Sequence, residues 1–426
     1  MIGGLLKSTS RVALLATAGL MMGSLATTAQ AADLGGDCCA DLEERVAELE
    51  ATTARKGNRK VSLTVSGFVN EMVMFWDDGG ESNTYVVTNG HAPSRFRFVG
   101  EAKINSDWSA GYYIELQTNS AGNNVNQFDD DNGFGVSLRQ SNWFLKSNTL
   151  GSLRVGLASS ATDDIILGSP ANINHALSQD VGLSGAGLAF RNSATGALTG
   201  TTIGGLTPGL DTARRNVVRY DTPTFQGFRL AAAWGEDDFW DVGLWMANTW
   251  GDFKVVFNIG YLEDTEGNGL GGTFALNAAG FCCQGANFQE IKGSAGVMHV
   301  PTGLFVDGAY VHREFDATTG AGTIVNRSDM DFYFIRGGIE AKVTPLGATT
   351  LFGFYSNAQD PTTVIAGTNS SSELDIWGLG INQAISAAAM DLYLVYKNNS
   401  ADLRTNGIVT PLEDIDIVYT GAIIRF

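Results

Sequence analysis

The side chains best spaced to do chemistry in this chain are charges, and what they could do is shape an electric field. Arg95 and Arg97 stand two apart, and Arg139, Arg154, Arg219 and Arg229 recur with the same alternating neighbours in later extended stretches. Residues two apart share one face of a strand, so these arginines can form a basic wall. The longest stretch without strand character, 159–215, carries Asp163, Asp164 and Asp180. An acidic segment facing a basic wall sets up a transverse field that orients dipolar solutes and disfavours apolar ones, which must shed water. For any single arginine the plainer reading is a polar face position away from that field, or an ion pair between subunits.

Nucleophilic chemistry is poorly served. His91 and His175 fall in loop-like stretches, His299 and His312 among apolar neighbours, and none sits in a recognisable Ser and acid motif. The four cysteines form two adjacent pairs, Cys38-Cys39 and Cys282-Cys283. Adjacent cysteines lack the separated spacing of a zinc or redox site, and their pairing stays open. The sequence calls for no catalytic residue, cofactor or metal.

Those charges must be positioned by a framework without membrane-spanning helices, either a soluble fold or a barrel. Lys7 and Arg11, an apolar run from Val12 to Leu25 and Ala29-Gln30-Ala31 read as a signal peptide over residues 1–31. No later run reaches the roughly 18 apolar residues of a helical span. Loss of the leader takes the formal charge from −18 to −20, which argues against a nucleic-acid partner. Fifty-three Gly, 8 Pro and 17% charged residues fit a long sheet protein.

Residues 32–59 form a separate segment. Within Asp37–Lys56, Leu42, Val46, Leu49 and Thr53 make a short heptad seam, with acids early and Arg55 and Lys56 late. Either a solvated spacer or a small periplasmic helix pairing with copies of itself fits.

From Val61 the period becomes two. Phe96, Phe98, Gly100, Ala102 and Ile104 take one face, and Arg95, Arg97, Glu101 and Lys103 the other. Sixteen candidate strands follow: 61–76, 93–104, 108–118, 135–146, 151–158, 216–222, 226–236, 238–250, 252–263, 287–300, 303–315, 329–343, 347–358, 372–384, 387–398 and 412–426. Short connections such as 105–107, 301–302 and 344–346 alternate with long ones at 77–92, 119–134, 159–215, 264–286, 316–328, 359–371 and 399–411. Short turns on one side, loops on the other and an even strand count predict an all-β transmembrane antiparallel barrel over 60–426, polar inside and apolar toward lipid. Asp237 is the weak point, where one outer loop must be very short. Aromatics near strand ends, including Phe75-Trp76, Trp143-Phe144, Trp234, Phe239-Trp240, Trp250 and Phe332-Tyr333-Phe334, suggest interfacial girdles.

The last strand puts Val418, Ala422, Ile424 and Phe426 on one parity and Arg425 on the other. With Tyr419 and Gly421, this terminal pattern resembles the signal read by the outer-membrane assembly machinery. Val61-Ser62-Leu63-Thr64-Val65-Ser66-Gly67 with Asn70, Phe75-Trp76-Asp77-Asp78, and the run from Arg215 to Phe225 complete a likeness. The chain resembles a general outer-membrane porin of alphaproteobacteria, of the rhizobial and Brucella type, over nearly all of the mature sequence.

The resemblance implies a homotrimer of barrels in outer-membrane lipid and lipopolysaccharide, each a passive channel for small hydrophilic solutes. It also implies that loop 159–215 folds inward; the loop's Asp163 and Asp164, and Arg95, Arg97, Arg139 and Arg154 on the lumen-facing parity of nearby strands, are then the expected constriction residues. A substrate-specific channel, a barrel hydrolase, and a peptidoglycan tether through residues 37–56 are the competing or coexisting readings.

Overall fold

The computed structural model describes residues 60–119, 125–128, 135–207, 209–212, 214–235, 238–265, 288–315, 318–320, 323–325, 329–360 and 370–426. Residues 1–31 expected as a leader, the 32–59 segment and all four cysteines lie outside the described residues.

Sixteen strands close a barrel: β1 Ser62–Asp77, β2 Arg95–Lys103, β3 Trp108–Asn119, β4 Gly135–Ser147, β5 Gly151–Ser159, β6 Arg214–Asp221, β7 Phe228–Gly235, β8 Trp240–Trp250, β9 Phe253–Asp264, β10 Phe288–His299, β11 Leu304–Phe315, β12 Met330–Thr344, β13 Gly347–Gln359, β14 Ser370–Ile385, β15 Met390–Thr405 and β16 Ile415–Arg425. Each pairs antiparallel with its sequence neighbours, and β1 pairs with β16 from Phe68↔Arg425 to Asp77↔Asp416. The sheet holds eighteen strands in all, because Ser82–Thr88 and Ile408–Thr410 join it at the rim.

Every candidate strand has its counterpart. Four expected loops are partly sheet: 77–92 folds back as Ser82–Thr88 on the upper half of β1, 159–215 pairs Ala189–Arg191 with Leu198–Thr202, 316–328 pairs Thr318–Gly320 with Thr323–Val325, and 399–411 begins as the continuation of β15 to Thr405 against β14. The tight turns carry the residues they demand. Asn105 Oδ1 accepts from the Asp107 and Trp108 amides, and Gly303 has φ 71 where a Cβ would collide with the Glu340 carbonyl.

The outward face reads as a membrane surface. Val306, Ile335, Ile339, Leu351 and Leu379 are exposed in its middle. Toward the loop end, tyrosine hydroxyls on alternate strands donate to polar side chains on the next strand. The pairs are Tyr261 to Gln289 at 3.1 Å, Tyr310 to Asp331 at 2.7 Å, Tyr355 to Asp375 at 2.5 Å and Tyr396 to Asp416 at 2.7 Å. An apolar ring with a polar tip suits the headgroup layer. Trp143, Trp234, Trp240, Trp250 and Tyr333 also face outward. Trp76, Phe239, Phe332 and Phe334 do not: they are buried inside, so strand-end position alone misplaced them.

The interior corrects the expectation of a polar lumen over half the circumference. Nine side chains of the long loop, Ile166, Ile173, Leu177, Val181, Leu188, Phe190, Ile203, Leu206 and Leu210, are fully buried against inward Met72, Met74, Val311, Phe332, Ile376, Val395 and Ile417. Full burial of such a side chain contributes roughly 1.5–3 kcal/mol. Wall strands that pack on this loop are apolar on both faces, which is why their alternation is weak in sequence. The open space is pushed to the other half of the barrel.

Candidate functional site

Between the loop and the wall that runs from β16 and β1 round to β9 lies an open cavity of about 1700 Å³. On the wall, β2 aims Arg95 and Arg97 inward and β3 aims Tyr113, Glu115 and Gln117 at them. A β-bulge opposite Glu115 and Leu116 turns Arg139 to the same side, the re-aiming that bulges supply. Glu115, 1% exposed, gathers three guanidinium groups, from Arg97 at 2.5 Å, Arg139 at 2.8 Å and Arg95 at 3.7 Å. The Tyr113 hydroxyl donates to it at 3.0 Å, and the Phe68 ring lies 4.9 Å from the Arg95 guanidinium carbon. One carboxylate therefore fixes three arginines and leaves two charges in excess.

Asp241 on β8 fixes the opposite side by accepting from the Ala161 amide at 3.0 Å and the Thr162 amide at 2.7 Å. The loop then crosses the lumen. Gly168 N–H donates to Ser294 Oγ, Tyr419 donates to the Ala176 carbonyl, and Asn70 donates to the His175 carbonyl. Its far end is tied by Arg191, which donates to both oxygens of Asp78 at 3.1 and 2.9 Å. Burial pushes the Asp78 carboxyl up, but the Arg191 bonds and the Glu81 and Gly80 amides outweigh it and hold it below the ordinary range.

Where the loop enters and leaves the lumen, Asp163, Asp164 and Asp211 bring one oxygen each within 4.8 Å of one another. Arg214 lies 3.8 Å from Asp163. Burial raises Asp164 and Asp211 above the ordinary carboxylate range, and the neighbouring aspartates add to it. Asp164 nevertheless faces the cavity.

Of the predicted constriction residues, Arg95, Arg97, Arg139, Asp163 and Asp164 line this one cavity. Arg154 does not: it is paired with Arg219 near the short-turn end, with Asp221 as its acidic neighbour. Arg219 is likewise committed, bidentate to Asp221 at 3.0 and 2.7 Å. Sequence reasoning missed Asp211 and Arg214. Asp211 is 47 residues from Asp164, and Arg214 opens its strand on the outward parity, so neither spacing nor alternation marks them. Of the terminal residues, Ile424 and Phe426 face outward, whereas Tyr419 is buried inside and a Cβ at Gly421 would crowd the Tyr393 hydroxyl.

Asp180, also on the cavity, is 5% exposed and its Oδ1 has no hydrogen-bond partner. Burial pushes its carboxyl up to about 7, against the pull of Lys397 and Lys292. An acid held above its unfolded value keeps its proton in the native state, so stability falls as pH rises from the unfolded value toward 7. Asp180→Asn should therefore match the parent at pH 4 and exceed it at pH 8. The check is the temperature of barrel loss in detergent; an equal difference at both pH values would contradict it.

The profile of a family described as Gram-negative porin matches residues 13–403. Among curated proteins nothing matches. Solved structures share the fold. OmpTdeltaL8, a loop L8 deletion mutant of the Vibrio cholerae outer membrane protein OmpT, is 14% identical, with 86% of this chain and 100% of that one covered and a TM-score of 0.54. An anion-selective porin from Comamonas acidovorans is 18% identical over 86% and 100%, with a TM-score of 0.52. The outer membrane channel DcaP of Acinetobacter baumannii is 10% identical over 87% and 99%, with a TM-score of 0.50. At these identities the likeness speaks for architecture alone.

Proposed function

The chain belongs to the Gram-negative porin family and is an outer-membrane diffusion channel; from that premise we propose that the cavity between the barrel wall and the inward loop is its constriction and that it favours anions. The charge balance of that cavity carries the reading. Arg95, Arg97, Arg139, Arg214, Arg229, Lys254 and Arg425 line it against Glu115, Asp163, Asp164, Asp180 and Asp211, seven cations to five anions among the described residues. The constriction is thus positive inside a chain whose net charge is −18. Its arginines on one side and aspartates on the other supply the transverse field.

Residues 1–31 are a leader cleaved near Ala31, and 32–59 a periplasmic segment able to meet peptidoglycan. The assembled form is a homotrimer, as the trimer form described for OmpT of Vibrio cholerae illustrates at 14% identity. The terminal strand ending in Phe426 serves the assembly machinery, and the acid and tyrosine rim meets lipopolysaccharide. The likeness to alphaproteobacterial general porins rests on the segments quoted above.

Planar-bilayer recording of the purified protein tests the channel and its sign together. Stepwise conductance closing in threes is expected, with a reversal potential in a KCl gradient on the chloride side. A potassium-side potential would overturn the anion reading.

A further inference from the structure

Asp163 is the anomaly of the constriction. It is 2% exposed, and neither of its carboxylate oxygens has a hydrogen-bond partner. Its ion-pair contact with Arg214, at 3.8 Å, is beyond hydrogen-bond reach. A buried carboxylate without donors is costly, and such groups are ordinarily paired or bound to a metal. Its neighbours are two further carboxylates, with one oxygen from each residue inside a 4.8 Å group.

We propose that Asp163, Asp164 and Asp211 together hold a divalent cation of the Ca²⁺ type on the loop side of the constriction. Calcium takes 6–8 oxygen ligands at about 2.3–2.6 Å in flexible geometry, so three carboxylates with water completing the shell suit it. Asp211 is already fixed: its Oδ1 accepts from the Asp164 and Thr212 amides at 2.8 and 3.0 Å. Asp164 faces the cavity and gives the ion its path in, while Asp163 supplies the buried ligand. Three acids against one guanidinium contact leave a negative excess that a dication cancels. The site joins the two ends of the inward loop, so an ion there ties its entry to its exit. Rotating the loop side toward neutrality makes the whole constriction more positive.

The inference rests on the channel reading above, and the test separates the two. Protein in planar bilayers, at fixed ionic strength in a KCl gradient, is titrated with CaCl₂ on both sides. The reversal potential should move further toward chloride and saturate, with half-saturation between about 0.1 and 1 mM, the range of weak extracellular calcium modules. Asp163→Asn with Asp211→Asn should begin on the chloride side and lose the saturable response. Asp164→Asn, a cavity-facing change that disturbs no packing, should weaken it severalfold even if the double variant does not fold. Conductance that ignores Ca²⁺, or a response unchanged in Asp164→Asn, overturns the site and leaves the channel standing. Absence of conductance overturns the reading beneath it.

Discussion

Replacing Arg95 and Arg97 by glutamine should abolish the anion preference, moving the chloride-to-potassium permeability ratio by about tenfold or more at low salt. Two of seven lining cations are removed, which brings cations and anions on the cavity to parity. A unit charge about 4 Å from an ion's path changes its energy by about 1 kcal/mol even at the dielectric of water, roughly fivefold in partition. Loss of a positive charge disfavours chloride and favours potassium at once, so the ratio responds to both. Glu115 keeps Arg139 at 2.8 Å and the Tyr113 hydroxyl, so the wall retains a partner for its buried acid. Arg154→Gln is the control. Its side chain lies outside the cavity near Arg219 and Asp221, and it should leave the ratio unchanged. The effect must shrink as salt rises, because the Debye length falls from about 10 Å at 0.1 M to about 3 Å at 1 M. A large shift for Arg154 and none for Arg95 and Arg97 would move the selecting section toward the short-turn end.

The barrel was legible in sequence because a sheet between lipid and water writes its two faces into alternate residues. Phe96 and Phe98 against Arg95 and Arg97 is the clearest case, and the sixteen strands follow from repeating it. The inside was less legible for a physical reason. Where the loop covers the wall, as at Met72, Met74, Ile376 and Val395, the lumen side is as apolar as the lipid side and the period disappears. Arg139 and Arg154 show the other limit: both count as inward, but only the bulge at Arg139 brings its strand to Glu115. Depth along the barrel, which decides what a lumen arginine meets, is not encoded in parity. Asp211 and Arg214 belong to the site through chain return across a loop of some fifty residues, and no local pattern records such a return.

The inward loop should come loose when a fully buried polar anchor is cut. Arg336 and Asp307, on β12 and β11, are both fully buried, and the guanidinium meets the carboxylate at 3.1 and 3.0 Å. Arg336 also donates to the Leu177 carbonyl at 2.7 Å and to Asn174 Oδ1 at 2.9 Å. Asp307 accepts from Ser169 at 2.9 Å and Gln179 at 3.2 Å, so one pair grips the loop at four residues. Arg336→Met leaves Asp307 buried without its countercharge, a change that costs about 3–5 kcal/mol. The barrel's own strand ladders are untouched, so the loss should fall on the loop: larger conductance, more current noise and a weaker chloride preference as the loop acids and the arginine wall separate.

Adding Asp307→Asn removes the stranded charge. Thermal stability should then recover by more than conductance does, because neutralising the acid relieves its desolvation without restoring the bonds to Leu177 and Asn174. That split separates an anchor from a simple stabilising pair. A folded Arg336→Met protein with parental conductance and selectivity would show that apolar packing of Ile173, Leu177 and Val181 holds the loop without this pair.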